Sequence, residues 1–242
     1  MSFDGKRYWL VGASEGLGRA LAQKMSAAGA ELVLSARSEG RLQSLADDLP
    51  GTTQVLPLDL ADDASVKQAG AALGRVDGVV FLAGVYWPMS AREWEGSSAL
   101  AMADINFIGA FRVLNQVMPQ FLERDSGHIV ITGSLSGFRG LPGAIGYGAS
   151  KAGVMALSES LYADLRSTGI KVQVANPGFI KTRLTDKNTF RMPFIMSPDE
   201  AADPMLLHMA SKRFKRSFPM MFSWLFRISQ FLPDWLYYRL FC

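Results

Sequence analysis

Cysteine is almost missing from this chain: of 242 residues only Cys242, the last, carries a thiol. A lone thiol closes no intrachain disulfide, so the fold must rest on its core, and a reducing compartment is expected. Histidine is nearly as scarce. His128 and His208 both stand apart from cysteines or carboxylates at ligand spacing, so no metal site is expected. A net charge of +3, with no basic stripe interleaved with aromatics, argues against nucleic acid as a partner. The sequence passes from Met1 through Asp4, Lys6 and Arg7 straight into an apolar run, leaving no room for a secretory signal; a cytoplasmic location is expected.

What is present suits one large core. The chain is 49% hydrophobic, and glycine and proline are scattered at turns rather than gathered into a linker, so residues 1–242 read as one domain. Apolar runs at Leu32–Leu34, Val55–Leu58, Val79–Leu82, Ile129–Ile131 and Val172–Ala175 alternate with longer stretches of helical character. That alternation predicts an α/β fold, a doubly wound parallel sheet with helices on both faces.

The first apolar run, Arg7 to Val11, ends in Gly12-Ala13-Ser14-Glu15-Gly16-Leu17-Gly18, after which Leu17 to Ala28 has helical periodicity. Strand, glycine turn and helix form the context of a dinucleotide site: glycines let the backbone approach a pyrophosphate, and the helix N-terminus attracts its charge. An acidic residue about 20 positions further on ordinarily binds the ribose 2′-OH of NAD. Here Arg37 and Ser38 follow Leu32–Ala36 instead, which suits the 2′-phosphate of NADP, while Glu15 argues for NAD by placing a carboxylate near the same phosphate.

Tyr147 and Lys151 are four apart, thirteen residues after Ser134. On a helix that spacing puts both side chains on one face, where an ammonium can lower the phenol's pKa so that it exchanges a proton with a carbonyl oxygen. Ser134 is expected to hydrogen-bond that oxygen while charge develops.

At these positions the chain resembles the short-chain dehydrogenase/reductase family, over about residues 5–185. The resemblance is carried by the Gly12–Gly18 turn, Asp59-Leu60, Asn106, Ser134, Tyr147 with Lys151, and Pro177-Gly178 with Thr182. It implies a Rossmann fold, and hydride transfer between a nicotinamide cofactor and a carbonyl or alcohol. By resemblance, Asp59 and Leu60 hold adenine, Asn106 supports a water and Lys151 in a proton relay, and Lys151 also binds the nicotinamide ribose. Ala83 and Gly84 let the cofactor pass, and Pro177, Gly178, Ile180 and Thr182 line the nicotinamide. A dimer or tetramer paired through the helices of Asn106 and Tyr147 is also implied. Two departures stand out: Phe81-Leu82-Ala83-Gly84 replaces the family's Asn-Asn-Ala-Gly, and its C-terminal strand is not recognisable after Ser197.

Residues 179–242 carry the individuality. Phe179, Ile180, Phe190, Met192, Phe194, Ile195 and Met196, with Tyr86-Trp87-Pro88 opposite, predict a broad apolar pocket for a bulky, lipid-like carbonyl compound. A 3-oxoacyl thioester on an acidic carrier protein is a second substrate reading. A cofactor sensor without turnover is a third, opposed by the intact Ser134, Tyr147 and Lys151.

From Met220 to Leu232, Met221, Trp224, Leu225, Ile228, Phe231 and Leu232 follow helical spacing, with Ser223, Arg227 and Gln230 marking the other side. Arg227, Pro233, Asp234 and Arg239 interrupt the apolar sequence, so it falls short of the ~20 residues of a membrane span. Stripes of this kind usually pack on the body or on another subunit. Beside the cations Lys212, Arg213, Lys215 and Arg216, this one also suits peripheral contact with an anionic membrane.

Overall fold

The computed structural model describes residues 2–241; Met1 and Cys242, on which the thiol argument rests, lie outside them. Seven parallel strands form one sheet in the order β3-β2-β1-β4-β5-β6-β7. They are β1 (Arg7–Val11), β2 (Glu31–Ser35), β3 (Thr53–Val55), β4 (Gly78–Phe81), β5 (Gly127–Thr132), β6 (Ile170–Pro177) and β7 (Lys215–Phe218). Nine helices are described: α1 (Gly16–Ala27), α2 (Glu39–Asp48), α3 (Asp63–Leu73), α4 (Gly96–Ala103), α5 (Gly109–Glu123), α6 (Ile145–Leu165), α7 (Pro198–Ala210), α8 (Met220–Ser229) and α9 (Asp234–Phe241).

Side chains alternate across the sheet, as a two-residue period requires. Leu10, Leu32, Leu34, Val80 and Val130 meet α1, α2 and α7 on one face through Leu21, Met25, Leu42, Leu45 and Met205. Trp9, Val11, Val33, Val79, Phe81, Ile129 and Ile131 meet α3, α5 and α6 on the other through Val66, Val113, Val117, Phe121 and Val154. Both faces are dry, which is why the strands read as continuous apolar runs. Gly96–Glu123 has the length and mean hydropathy, 1.2, to cross a membrane, but a π-helical turn at Asp104–Ile108 interrupts it and α5 packs on the core.

Strand order reverses between β1 and β4, and the turns leaving their C-terminal ends bound a crevice there. At this point the unusual Phe81-Leu82-Ala83-Gly84 is held by backbone alone: the Leu82 and Ala83 amides both donate to the Val11 carbonyl, at 2.8 and 2.9 Å.

Two C-terminal expectations are corrected. A seventh strand does follow Ser197. Its sequence, Lys-Arg-Ser-Phe, hides it as a cation cluster, because β7 is an edge strand whose Lys215 reaches out to Glu159. The apolar stripe after Pro219 does not pack on the body. Phe222, Ser223, Phe226 and Ser229 turn inward, whereas Met221, Trp224, Leu225, Ile228 and Phe231 face outward and Leu232 is half-buried. Ser223 and Ser229 sit inside because each hydroxyl donates to a carbonyl of its own helix, Met220 O and Phe226 O, which removes the cost of burial.

Candidate active site

The crevice is a cleft of about 240 Å³. The glycine turn forms its floor. Gly12 has φ +100°, and a Cβ there would lie 2.5 Å from the Ala83 amide nitrogen; a Cβ on Gly18 would lie 2.0 Å from the Gly12 carbonyl oxygen. Only hydrogen fits at either position. No side chain caps the N-terminus of α1. A close-approach backbone leading into an uncapped helix start fits the pyrophosphate of a dinucleotide.

Ser14, Glu15, Gly16 and Leu17 line the same floor, with Arg37, Asp59 and Leu60 at one end and Ala83, Gly84, Pro177, Gly178, Ile180 and Thr182 along the wall. Ser38 is not in the lining; it stands at the N-cap of α2. Arg41, unmarked in the sequence, is in it, 3.8 Å from Glu15 Oε2. A signal for Arg41 was available, since a cation in the first turn of a helix opposes the helix dipole and calls for an anionic partner. Glu15 Oε1 accepts from Arg183 Nη2 at 2.6 Å, so its carboxylate is already countered.

At the inner end stand Ser134, Tyr147 and Lys151. Ser134 begins the 3-10 turn after β5, where its hydroxyl accepts from the Ser136 amide at 3.2 Å and meets the Tyr147 phenol. The Lys151 ammonium is buried, donates to the Thr132 carbonyl at 2.9 Å, and lies 5.7 Å from the Tyr147 ring centre. Burial pushes the phenol's pKa up, the bond from Ser134 opposes that, and burial lowers Lys151 to about 8. In the protein by itself, burial outweighs any lowering of the phenol's pKa by the Lys151 ammonium.

Asn106 lies beside this group, near Gly84. It sits in the π-helical turn outside the cleft lining, and its amide is engaged in bracing the backbone: Oδ1 accepts from Val85 N at 2.7 Å, and Nδ2 donates to Val85 O and Ser150 Oγ at 2.9 and 3.0 Å. Its side chain fixes the segment beside Gly84, near which the Lys151 ammonium also stands.

The mouth is aromatic. Tyr86 packs edge-on against Tyr147 with centroids 5.1 Å apart, and its hydroxyl donates to Asn188 Oδ1 at 2.9 Å. Phe179 contacts Phe190 and Phe222, and Phe194 contacts Phe222, at 5.6 to 5.8 Å between centroids.

Where a doubly wound sheet reverses its strand order, nucleotides bind, and a phenol beside a serine and a lysine supplies proton-transfer chemistry; together they define a nucleotide-dependent oxidoreductase. The chain belongs to the short-chain dehydrogenase/reductase family, its residues 6–192 matching the family described as short chain dehydrogenase. It is 36% identical over 235 residues to an uncharacterized oxidoreductase of Myxococcus xanthus, covering 94% of this chain and 93% of that one. It is 34% identical over 194 residues to the 3-oxoacyl-[acyl-carrier-protein] reductase FabG of Escherichia coli, covering 76% and 78%. A short chain dehydrogenase/reductase from Burkholderia phymatum, solved in complex with NAD, superposes with a TM-score of 0.86 at 24% identity over 95% of this chain and 94% of that one, a likeness of fold.

Proposed function

We propose that the protein is an NADPH-dependent reductase of a carbonyl group on a hydrophobic, lipid-like compound. The observation that carries this reading is the cleft itself: a glycine floor and two arginines at one end, a serine, phenol and ammonium at the other, and an aromatic mouth. Arg37 and Arg41 are the partners for a 2′-phosphate, and the bridge to Arg183 counters the Glu15 charge that would otherwise repel it. Ser14, Gly16, Leu17 and Gly18 would hold the pyrophosphate, Asp59 and Leu60 the adenine, Ala83 and Gly84 the passage between, and Pro177, Gly178, Ile180 and Thr182 the nicotinamide end. When bound, the cofactor supplies the hydride that reaches the carbonyl carbon.

Tyr147 gives its phenolic proton to the carbonyl oxygen, which Ser134 holds by a hydrogen bond. The phenolate left behind is reprotonated from solvent. A phenol whose pKa is raised by burial is protonated at neutral pH, the form that donates to a carbonyl oxygen. Lys151 positions the cofactor ribose, and Asn106 positions the strand end beside it. Subunit pairing through α5 and α6 is supported by the exposed Ile108, Phe111 and Tyr162.

A 3-oxoacyl thioester carried on an acidic protein is the second reading, favoured by the likeness to the FabG reductase and by Arg183 and Lys187 beside the cleft. One experiment tests both: NADPH oxidation followed by absorbance with ketones and aldehydes of increasing chain length, with carrier-bound 3-oxoacyl thioesters, with NADH, and with Tyr147→Phe in parallel. Turnover that rises with chain length and vanishes in the variant supports the lipid-like carbonyl. Turnover of thioesters alone supports the second reading, and cofactor binding without any turnover points to a sensor.

A further inference from the structure

The outward face of α8 is a feature the oxidoreductase chemistry leaves unused. Met221, Trp224 and Phe231 are 77%, 53% and 86% exposed, and Leu225 and Ile228 lie between them. Trp235, in the first turn of α9 and four residues after Phe231, is exposed as well. Monomeric soluble proteins rarely expose a contiguous apolar patch of this size without using it.

The helices are not a loose tail. Arg139 Nη1 donates to the carbonyls of Ser229 and Leu232, both at 2.7 Å, while Nη2 pairs with Asp234 and the guanidinium lies 3.9 Å above the Tyr237 ring. The Tyr237 hydroxyl donates to Gly140 O at 2.7 Å, and Gln230 Nε2 to Phe138 O at 3.1 Å. Phe222 and Phe226 seal the underside against Leu135. These contacts hold Trp224 and Leu225 outward in one fixed plane.

Charge distinguishes two occupants for such a plane. The cations of these two helices are half-buried Arg227, whose guanidinium lies 5.6 Å from the Trp224 ring centre, and exposed Arg239, and the one carboxylate of α8 and α9, Asp234, is already paired with Arg139. A second copy docked by two-fold symmetry would set this cationic face against itself. Lys212 and Arg213 contribute little here, since they stand beyond the far end of β7, about 13 Å of strand away.

We propose that this face docks on an anionic lipid bilayer, with α8 lying in the interfacial plane and Trp224, Leu225, Ile228 and Phe231 entering the acyl boundary. Phe194, itself exposed, touches Phe222 at 5.6 Å between centroids, so the aromatic mouth of the cleft opens beside the docked surface. A lipid-like carbonyl compound then passes from bilayer to cleft without crossing water. Only this delivery step rests on the proposed reductase activity; docking does not.

The test is co-sedimentation of the full chain with vesicles of phosphatidylcholine, alone or with about a third phosphatidylserine, at low and high salt. Wild type is expected to bind the anionic vesicles at least about tenfold more strongly at low salt, and a Trp224→Gln/Leu225→Gln/Ile228→Gln variant to lose at least about tenfold. The variant should keep the wild-type melting temperature, because the three side chains are exposed. Absence of binding to anionic vesicles, or binding unchanged in a folded variant, overturns the proposal. So does a light-scattering mass showing a wild-type oligomer that the variant dissociates, since the occupant is then a second copy. Vesicle binding by a protein that reduces no ketone supports docking and removes only the reductase reading.

Discussion

Arg183 Nη2 lies 2.6 Å from Glu15 Oε1, joining the loop after β6 to the glycine turn across the outer part of the cofactor cleft. Both side chains are well exposed, so the pair adds little to stability, roughly 0–1 kcal/mol. Both residues line the cleft below it, of about 240 Å³, so a bound dinucleotide would meet this bridge.

Arg183→Ala should therefore leave the melting temperature nearly unchanged and speed cofactor exchange in stopped-flow fluorescence. It should also weaken NADPH relative to NADH, because Glu15 loses its counter-charge. Arg41→Ala should raise the Kd for NADPH about tenfold, the value of one charge-assisted hydrogen bond, with NADH altered far less in the same titration. Equal losses for both cofactors would assign Arg41 no role at a 2′-phosphate.

Tyr147→Phe should lower kcat by about 10²–10⁴ while NADPH still binds, as expected when a general acid is removed from an intact cleft. Fluorescence titration of the variant separates the two effects. A wild-type rate that survives the substitution would place the proton donor elsewhere.

Lys151 is held at about 8 by burial, below its ordinary value. The unfolded chain therefore binds a proton that the folded chain gives up between about 8 and 10.5, so this residue's penalty is full below 8 and fades as pH rises through that window. Lys151→Met should gain stability, on the order of 1–3 kcal/mol, at pH 7 and lose the advantage by about pH 10.5 in denaturant melts.

His128 and His208 are buried, their pKa values lowered by desolvation to about 3 and about 4. His128 bridges the Tyr8 hydroxyl at 2.9 Å and Gln173 Oε1 at 2.7 Å, a network inside the sheet layer. Unfolding lets both take up protons below about 6.5, so stability should fall with acid by about 1.4 kcal/mol per pH unit for each. His128→Gln should roughly halve the slope between pH 6 and 4.

Phe194→Ala should raise KM for a long-chain ketone about tenfold and leave a short one nearly unchanged, since its ring meets Phe222 at the mouth, away from the reacting atoms. The same factor for both substrates would remove Phe194 from the pocket.

How much of the site was legible followed from how local each requirement is. The glycine turn needs only hydrogen at Gly12 and Gly18, and Tyr147 and Lys151 share a helix face by their spacing; both are written in consecutive residues. Arg41 and Arg183 were not legible as cleft residues, because one reaches the floor from a helix and the other from a loop 168 positions away from Glu15 in the chain. Strand β7 was masked by its cations, which an edge strand can turn to solvent or to Glu159 without loss of pairing to β6.

The sequence by itself determined the layered α/β fold, since two-residue alternation and helical periodicity are set by backbone geometry and by what must leave water. It also determined the chemical types at the two ends of the cleft. Tertiary structure alone decided which side of α8 is buried. The periodicity that marked Met221, Trp224, Leu225 and Ile228 as one stripe cannot say what the stripe faces. That choice was made by Phe222 and Phe226 packing on Leu135, by Ser223 and Ser229 satisfying their hydroxyls within the helix, and by Arg139 pinning its C-terminal end.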